Sequence, residues 1–313
     1  MKINTVTLIG LGAMGSFFAP RLGAHLGNSF RVLAGGERKA RLETRGVTIN
    51  GVNHRFNVIT PDDQTGPADF VIIAVKDTGL KQAIADIKNQ VGPNTLILSV
   101  LNGVDSEEQV AEVYGWEHVL YSYMRISIVM QDGVSDFNPD AGKVHFGEAE
   151  NDVLSDRVKA VKALFDACRI PYDIDRDMIK GMWFKFMCNI GENMTCALLG
   201  VPFGAFHMSE HANEIRRKAM WEVVKIANRL GIDLGQAEID RQEHTIKGLP
   251  FLNKPSTLQD IENKRPTEVG MFSGKVVALG EKLGIETPVN RLLYNGIRIL
   301  EEKNAGLFDN TQQ

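Results

Sequence analysis

The feature that most constrains the fold is a short apolar run, Thr5 to Ile9. It ends in Gly10-Leu11-Gly12-Ala13-Met14-Gly15 and gives way to a helical pattern through about Leu26. GxGxxG alone is a weak signal, but strand, glycine turn and helix in that order open a βαβ dinucleotide-binding unit. Each glycine has its own reason. Gly10 permits the tight turn, Gly12 lets backbone approach a pyrophosphate, and Gly15 allows close helix–strand packing. The helix start offers unpaired N–H groups and a positive dipole end to phosphates. A glycine turn with no ligand is the competing reading, and the βαβ context weighs against it.

The pattern then repeats as in a doubly wound sheet. Phe30–Ala34 reads as a strand and Arg38–Arg45 as a short helix. Val47–Ile49 and His54–Val58 read as a hairpin around Asn50-Gly51. Asp69–Val75 is a buried strand ending at Lys76, Leu80–Val91 is helical, and Thr95–Val100 is a strand ending at Leu101-Asn102-Gly103. Val119–Met130 and Lys143–Phe146 complete the strands, with a short one around Tyr172–Ile174. Lys76 and Asn102 thus stand at carboxyl ends of strands, where open α/β sheets bind ligands. After Val153 helical periodicities take over, at about 176–199, 209–230, 234–245 and 268–283 and again after Pro288. The expectation is an α/β chain of two domains: residues 1–171, a Rossmann-type dinucleotide-binding domain, and residues 172–313, an all-helical substrate domain.

Within the first long helix of that second part lies Trp183-Phe-Lys-Phe-Met-Cys-Asn-Ile-Gly-Glu-Asn193. Lys185, Asn189 and Asn193 recur every four residues, about 40° of drift per step on an α-helix, so they form one stripe. Trp183, Phe184, Phe186, Met187, Cys188 and Ile190 occupy much of the remaining surface. A cation and two carboxamides on so apolar a helix need polar partners if they are buried, and an oxygen-bearing ligand supplies them. The stripe is expected to face the nucleotide domain. The alternative is a lysine snorkelling to solvent above two wet asparagines.

The remaining composition narrows the class. With 43% hydrophobic and 24% charged residues and a net charge of −4, this is a soluble globular chain. Its lysines and arginines are scattered, which argues against nucleic acid or a membrane surface as partner. Three cysteines without CxxC give neither a disulfide framework nor a zinc site, and a reducing cytoplasm is the natural setting. No apolar run is long enough to span a bilayer. His207 and His211 are four apart but lack HExxH and a third ligand, so they read as a solvated helix start rather than metal ligands. Cys188 and Cys196 read as core residues, and Trp221 and Tyr294 as packing between helices. Ser256, after Pro255, reads as a helix N-cap or a ligand contact, and Thr267 as a cap with Glu268 complementing the dipole.

Taken together, these residues resemble the ketopantoate reductase family, the 2-dehydropantoate 2-reductases. The resemblance rests on the GxGxxG, Val75-Lys76, Asn102-Gly103, Gly142-Lys-Val-His145-Phe-Gly147, Trp183-Phe-Lys185 with Asn189 and Asn193, Ser256 within Pro-Ser-Thr-Leu-Gln-Asp, and Thr267-Glu268. It spans nearly the whole chain in order. It implies a second domain like the C-terminal domain of 6-phosphogluconate dehydrogenase. It also implies NADPH-dependent reduction of ketopantoate to D-pantoate on the route to pantothenate and coenzyme A. By the same resemblance Lys185 is the catalytic acid and Glu268 its carboxylate partner. Asn102, Asn189, Asn193, Asn253 and Ser256 are substrate contacts. Gly10 to Gly15, Lys76, Asn102 and Glu268 line the cofactor. Apolar helices in the second domain are compatible with a homodimer.

Two departures bear on the cofactor. Family members commonly carry Ala-Arg-Gly-Glu after the second strand, the Arg meeting the 2′-phosphate, whereas this chain has Ala34-Gly35-Gly36-Glu37. Arg38, Lys39 and Lys76 remain to neutralise a phosphate, so NADP(H) is favoured with NAD(H) as the alternative. Lys76 is followed by Asp-Thr-Gly79 in place of the usual small residue, aromatic and Gln. The competing functions are an NAD-dependent D-2-hydroxyacid dehydrogenase acting on another 2-keto acid and a dinucleotide sensor without turnover. A sensor has no use for a proton donor.

Overall fold

The computed structural model describes residues 2–126, 128–131 and 133–309. They divide into two compact units, residues 1–179 and 180–313. The strands of the first unit are β1 (Val6–Ile9), β2 (Phe30–Leu33), β3 (Val47–Ile49), β4 (Val52–His54), β5 (Asn57–Ile59) and β6 (Phe70–Ile73). They continue with β7 (Leu96–Ser99), β8 (Val119–Arg125), β9 (Val129–Gln131), β10 (Val134–Asp136), β11 (Lys143–Gly147) and β12 (Tyr172–Asp173). Its helices are α1 (Ala13–Leu26), α2 (Gly36–Arg45), α3 (Leu80–Asp86), α4 (Ser106–Tyr114) and α5 (Asp156–Cys168).

The main sheet runs β12-β11-β8-β7-β6-β1-β2-β5. From β5 to β8 every pairing is parallel, and β11 then joins β8 antiparallel. β1, β6 and β7 are buried along their whole length, as strands covered on both faces must be, which explains their unbroken apolar runs. One face packs Leu8, Phe70 and Phe146 under Phe18 of α1 and Phe165 of α5. The other packs Ile9, Val71 and Ile73 under Leu80, Ile84 and Val110 of α3 and α4. Strand order reverses between β1 and β6, the switch point where such sheets hold ligands.

A second sheet, β4-β3-β10-β9, lies within the same unit, and it corrects the expected hairpin. Asn50 and Gly51 do turn, with φ 49° and 77°, a pair of positive values that suits a tight hairpin. The returning strand, however, is Val52–His54, and Asn57–Ile59 instead lies parallel to β2 in the main sheet. The expected strand 119–130 crosses residue 127, which lies outside the described residues. Its two described parts belong to different sheets. α4, α5 and β10 are elements the sequence pattern did not announce.

The second unit is helical. α6 (Met178–Cys188) runs through a wider π-helical turn, residues 189–194, into α7 (Thr195–Leu199). It is followed by α8 (Ala205–Met208), α9 (Glu210–Arg229), α10 (Gln236–Lys247), α11 (Ser256–Glu262), α12 (Lys275–Leu283) and α13 (Pro288–Asn304). A second π turn, residues 270–274, leads into α12. The 189–194 turn is the hub of the unit, packed by α9, α11, α13 and the 270–274 turn. Gly191 permits this, since a Cβ there would stand 2.6 Å from Met220 Cγ. Glu222 of α9 accepts from the Val289 and Asn290 amides at 2.8 and 2.9 Å, capping α13 with a buried carboxylate.

Two minor expectations fail. Trp221 is 37% exposed rather than packed between helices. His207 is not a solvated helix start, because its Nε2 lies 2.9 Å from the Ile246 carbonyl and its ring meets Phe251 edge-on. Cys168, Cys188 and Cys196 are buried and unbridged. Among the described residues no helix is long and apolar enough to cross a membrane.

Candidate active site

In the first unit the candidate residues line the carboxyl edge of the sheet in the order of their strands. Arg38 follows β2, the glycine turn follows β1, Lys76 follows β6 and Asn102 follows β7. Neighbouring strands are about 4.8 Å apart, so four separate stretches of sequence form one short row. Arg38 and Lys76 are exposed, and Asn102 is half-buried.

The three glycines separate into two kinds. Gly10 has φ +97°, and a Cβ there would lie 2.5 Å from the Ala74 carbonyl; a Cβ on Gly15 would lie 2.3 Å from the Gly10 carbonyl oxygen. Both are required by the protein's own packing. At Gly12, φ is −109° and an added Cβ would meet nothing within 4 Å. Nothing in the chain requires that glycine. The space above it is clear, beside a helix start with no side-chain cap and no acidic residue in its first turn. That combination fits a pyrophosphate.

In the second unit the stripe has the exposure the sequence suggested. Between Met182 and Ala197, the partly exposed residues are Lys185, Asn189 and Asn193. Asn193 Nδ2 donates to Asn189 Oδ1 at 3.4 Å. The sequence pattern predicts an α-helix throughout, but the structure departs from it in a π turn that begins at Asn189. A wider turn rotates less per residue, so it offsets the drift of an α-helical i, i+4 series and keeps Asn193 in line. Such turns cluster at functional sites.

Two other candidates come to the same hub. Ser256 opens α11, which packs on the 189–194 turn. Pro255, not Ser256, is the N-cap, and no side-chain cap bond forms there, so the capping reading of Ser256 is corrected; Ser256 is exposed at the first position of the helix. Glu268, half-buried, precedes the 270–274 turn, which packs against the first π turn. The Phe186 and Phe272 rings stack there, 6.4 Å between centroids. Thr267 is not the cap either: the cap position of the 270–274 turn is Val269, without a side-chain bond, and Thr267 instead makes a local turn, its hydroxyl accepting from the Val269 amide at 3.2 Å while Glu301 accepts from its amide and hydroxyl at 2.7 Å each. Asn253 is exposed, and its carbonyl accepts from the Phe203 amide at 2.9 Å.

The Gly142–Gly147 motif fastens an edge of the sheet. His145 Nδ1 lies 3.0 Å from Asp175 Oδ1, its ring stacks on Tyr123 at 4.3 Å, and Tyr123 donates to Asp175 at 2.5 Å. Sequence reasoning missed two buried carboxylates behind the candidate residues. Glu192 sits inside the π turn, 3.6 Å from the fully buried Arg216 guanidinium, and accepts from Gln242 at 3.1 Å. Glu107 stands just beyond the Asn102 loop, 2% exposed. The charged stretches around them gave no sign of burial.

Residues 6–151 match the family described as ketopantoate reductase PanE/ApbA, and residues 177–301 match its C-terminal domain. The chain belongs to the ketopantoate reductase family. It is an oxidoreductase of the kind that acts on CH–OH groups. It is 26% identical over 300 residues to a 2-dehydropantoate 2-reductase of Streptococcus pyogenes serotype M6, covering 92% of this chain and 95% of that one. Its fold is similar to a PanE/ApbA family ketopantoate reductase from Ralstonia eutropha JMP134, with a TM-score of 0.82, 22% identity, and 96% and 99% of the two chains covered. It is equally similar to D-mandelate dehydrogenase solved with NADH and anilino(oxo)acetate, at TM-score 0.84, 22% identity and the same coverage.

Proposed function

We propose that this protein reduces 2-dehydropantoate to D-pantoate with NADPH, in the supply of pantothenate and coenzyme A, with Lys185 as general acid. The observation that carries the reading is the half-exposed row Lys185, Asn189 and Asn193 on a helix otherwise buried from Met182 to Ala197. Gly10–Gly15 would hold the phosphates of the dinucleotide, and Lys76 and Asn102 its nicotinamide half, and the bound cofactor would supply the hydride. As hydride reaches the keto carbon, the carbonyl electron pair moves to oxygen. The Lys185 ammonium stabilises that charge and gives up its proton, an effect worth about 10²–10⁴-fold. Glu268 holds the ammonium. Asn189 and Asn193 bond the substrate's oxygens without adding charge, and Ser256 and Asn253 receive its carboxylate end.

A second reading rests on Gly35. Without an arginine there, the chain is also suited to be an NAD-dependent D-2-hydroxyacid dehydrogenase for another branched or aromatic 2-keto acid. The solved D-mandelate dehydrogenase of similar fold was bound to NADH. We further propose that residues 172–313 form the substrate domain, and that two copies associate in the cytoplasm.

The test is a panel of 2-keto acids, 2-dehydropantoate among them, assayed with NADPH and NADH. Turnover of 2-dehydropantoate that falls at least about 10²-fold in Lys185→Ala supports the first reading. Turnover only with other keto acids and NADH selects the second. No oxidation of either cofactor with any of them overturns both.

A further inference from the structure

β7 ends at Ser99 and α4 begins at Ser106, and the loop between them carries Asn102 and turns at Gly103, φ +97°. Its two feet are joined directly. Ser99 Oγ donates to Ser106 Oγ at 2.8 Å, and Ser106 Oγ donates in turn to Glu107 Oε2 at 2.9 Å. From β8, the Ser122 amide donates to Glu107 Oε1 at 3.2 Å, while the Ser122 hydroxyl donates to the Ser99 carbonyl. All four side chains are at most 4% exposed.

We propose that Glu107 is a positioning residue, whose ionised form pins both feet of the Asn102 loop and thereby tightens the protein's hold on the nicotinamide half of the cofactor. The inference rests on the reading above in placing Asn102 at the cofactor. An ionised carboxylate only accepts hydrogen bonds, so both oxygens are satisfied and the serine chain points one way, Ser99 to Ser106 to Glu107. Once protonated, the acid must donate to Ser106. The carboxyl then no longer accepts the Ser106 proton, and either that proton or, if Ser106 turns it to Ser99, the Ser99 proton loses its acceptor in a buried site. A buried donor so stranded is costly, and the loop's feet loosen.

The surroundings put this exchange near neutrality. Burial pushes Glu107 up to about 7, against the bonds from its own backbone, Ser106 and Ser122, with Asp105 adding to the rise. From β8 it faces the Tyr121 phenol, which burial first and then Glu107, Glu108 and Glu148 push upward. α3, which also packs on α4, contributes exposed Lys81 and half-buried Asp86, and β7 carries no titratable side chain.

The test uses the intact protein and the fluorescence of bound NADPH and NADH, read as Kd from about pH 5.5 to about pH 9, so it does not depend on which keto acid is reduced. Glu107→Gln fixes the neutral state. Wild type and E107Q should bind alike below the transition. Above it wild type should bind about tenfold more tightly, the worth of one well-made buried hydrogen bond. Ser106→Ala cuts the chain without touching the carboxyl and should remove the same pH dependence. Stability cannot imitate this result, because ionising a buried acid destabilises the fold while tightening the cofactor. A wild-type-to-E107Q ratio that stays flat with pH, while Asn102→Ala weakens binding throughout, overturns the role of Glu107 alone. An Asn102→Ala variant that binds as wild type removes Asn102 from the cofactor site and overturns this proposal with it.

Discussion

Asn193 Nδ2 donates to Asn189 Oδ1 at 3.4 Å, joining the two carboxamides of the π turn. With its oxygen so engaged, Asn189 would meet the substrate of the proposed function as a donor. Asn189→Asp keeps the acceptor for Asn193 and replaces that donor with a negative charge. For an anionic keto acid the expected result is a higher KM and a kcat/KM lower by roughly 10- to 100-fold, the cost of a lost charge-assisted bond. Steady-state kinetics with a melting curve check it. Loss of activity with Tm unchanged is expected.

The two kinds of glycine in the first turn give opposite outcomes. Gly15→Ala drives a Cβ to 2.3 Å from the Gly10 carbonyl oxygen, so stability should fall by about 1–3 kcal/mol, as in an overpacked core. Gly12→Ala meets no protein atom within 4 Å. It should melt near wild type yet, if the pyrophosphate lies there as proposed, bind the dinucleotide at least about tenfold more weakly, because the added methyl holds a charged phosphate off the backbone N–H. Denaturation and fluorescence titration of both variants separate the two effects.

How far the sequence could be read follows from which forces are local. The alternation of apolar strand, glycine turn and helix is set by neighbours in the chain, so β1, α1, β6 and β7 were legible nearly to the residue. The row Lys185, Asn189, Asn193 was legible because period and polarity conflict on one helix. The π turn was not, since one wider turn leaves the apolar pattern almost unchanged. His54–Val58 misled because both β4 and β5 are short and apolar residues recur across them, while the pairing partner of β5 is β2, far back in the chain. Glu107 and Glu192 look like surface carboxylates until partners distant in sequence, Ser122 and Arg216, close over them.

Glu192 shows what such closure costs to undo. Arg216 is fully buried, 3.6 Å from Glu192 and 3.1 Å from Glu243. Arg216→Met leaves a buried carboxylate facing a thioether, and breaking a buried pair costs about 3–5 kcal/mol. Adding Glu192→Met removes the stranded charge and should recover most of that loss. Urea denaturation of the single and double variants decides it; a double variant as unstable as the single one would contradict the account.

Burial of Glu107 also sets a pH dependence of stability. Its carboxyl is raised from 4.5 to about 7, so between those values the folded state holds a proton that the unfolded chain has lost. Stability from this group is therefore fully present below about pH 4.5 and is lost as pH rises through about 7, a swing of at most about 3 kcal/mol. Wild type should lose that increment relative to E107Q across the interval. Parallel curves would show that the carboxyl titrates as it does in solvent.

The proposed cofactor preference can be tested at Gly35. It is the exposed N-cap of α2, with φ −112° and ψ 170°, an extended geometry any residue adopts, and a Cβ there would approach nothing nearer than Pro61 Cδ at 4.0 Å. An arginine therefore fits without strain, at the end of β2 and beside Arg38. If a 2′-phosphate is received at this helix start, Gly35→Arg adds a bond to a charged group. It should raise the ratio of kcat/KM for NADPH over NADH by about tenfold or more. The shift should appear in KM for the dinucleotide, with kcat for the keto acid nearly unchanged, because the proposed function puts the adenosine end of the cofactor at this side chain, away from Asn102. A ratio that does not move would mean that the 2′ position is read elsewhere, with Lys39 or Lys76 the next residues to replace.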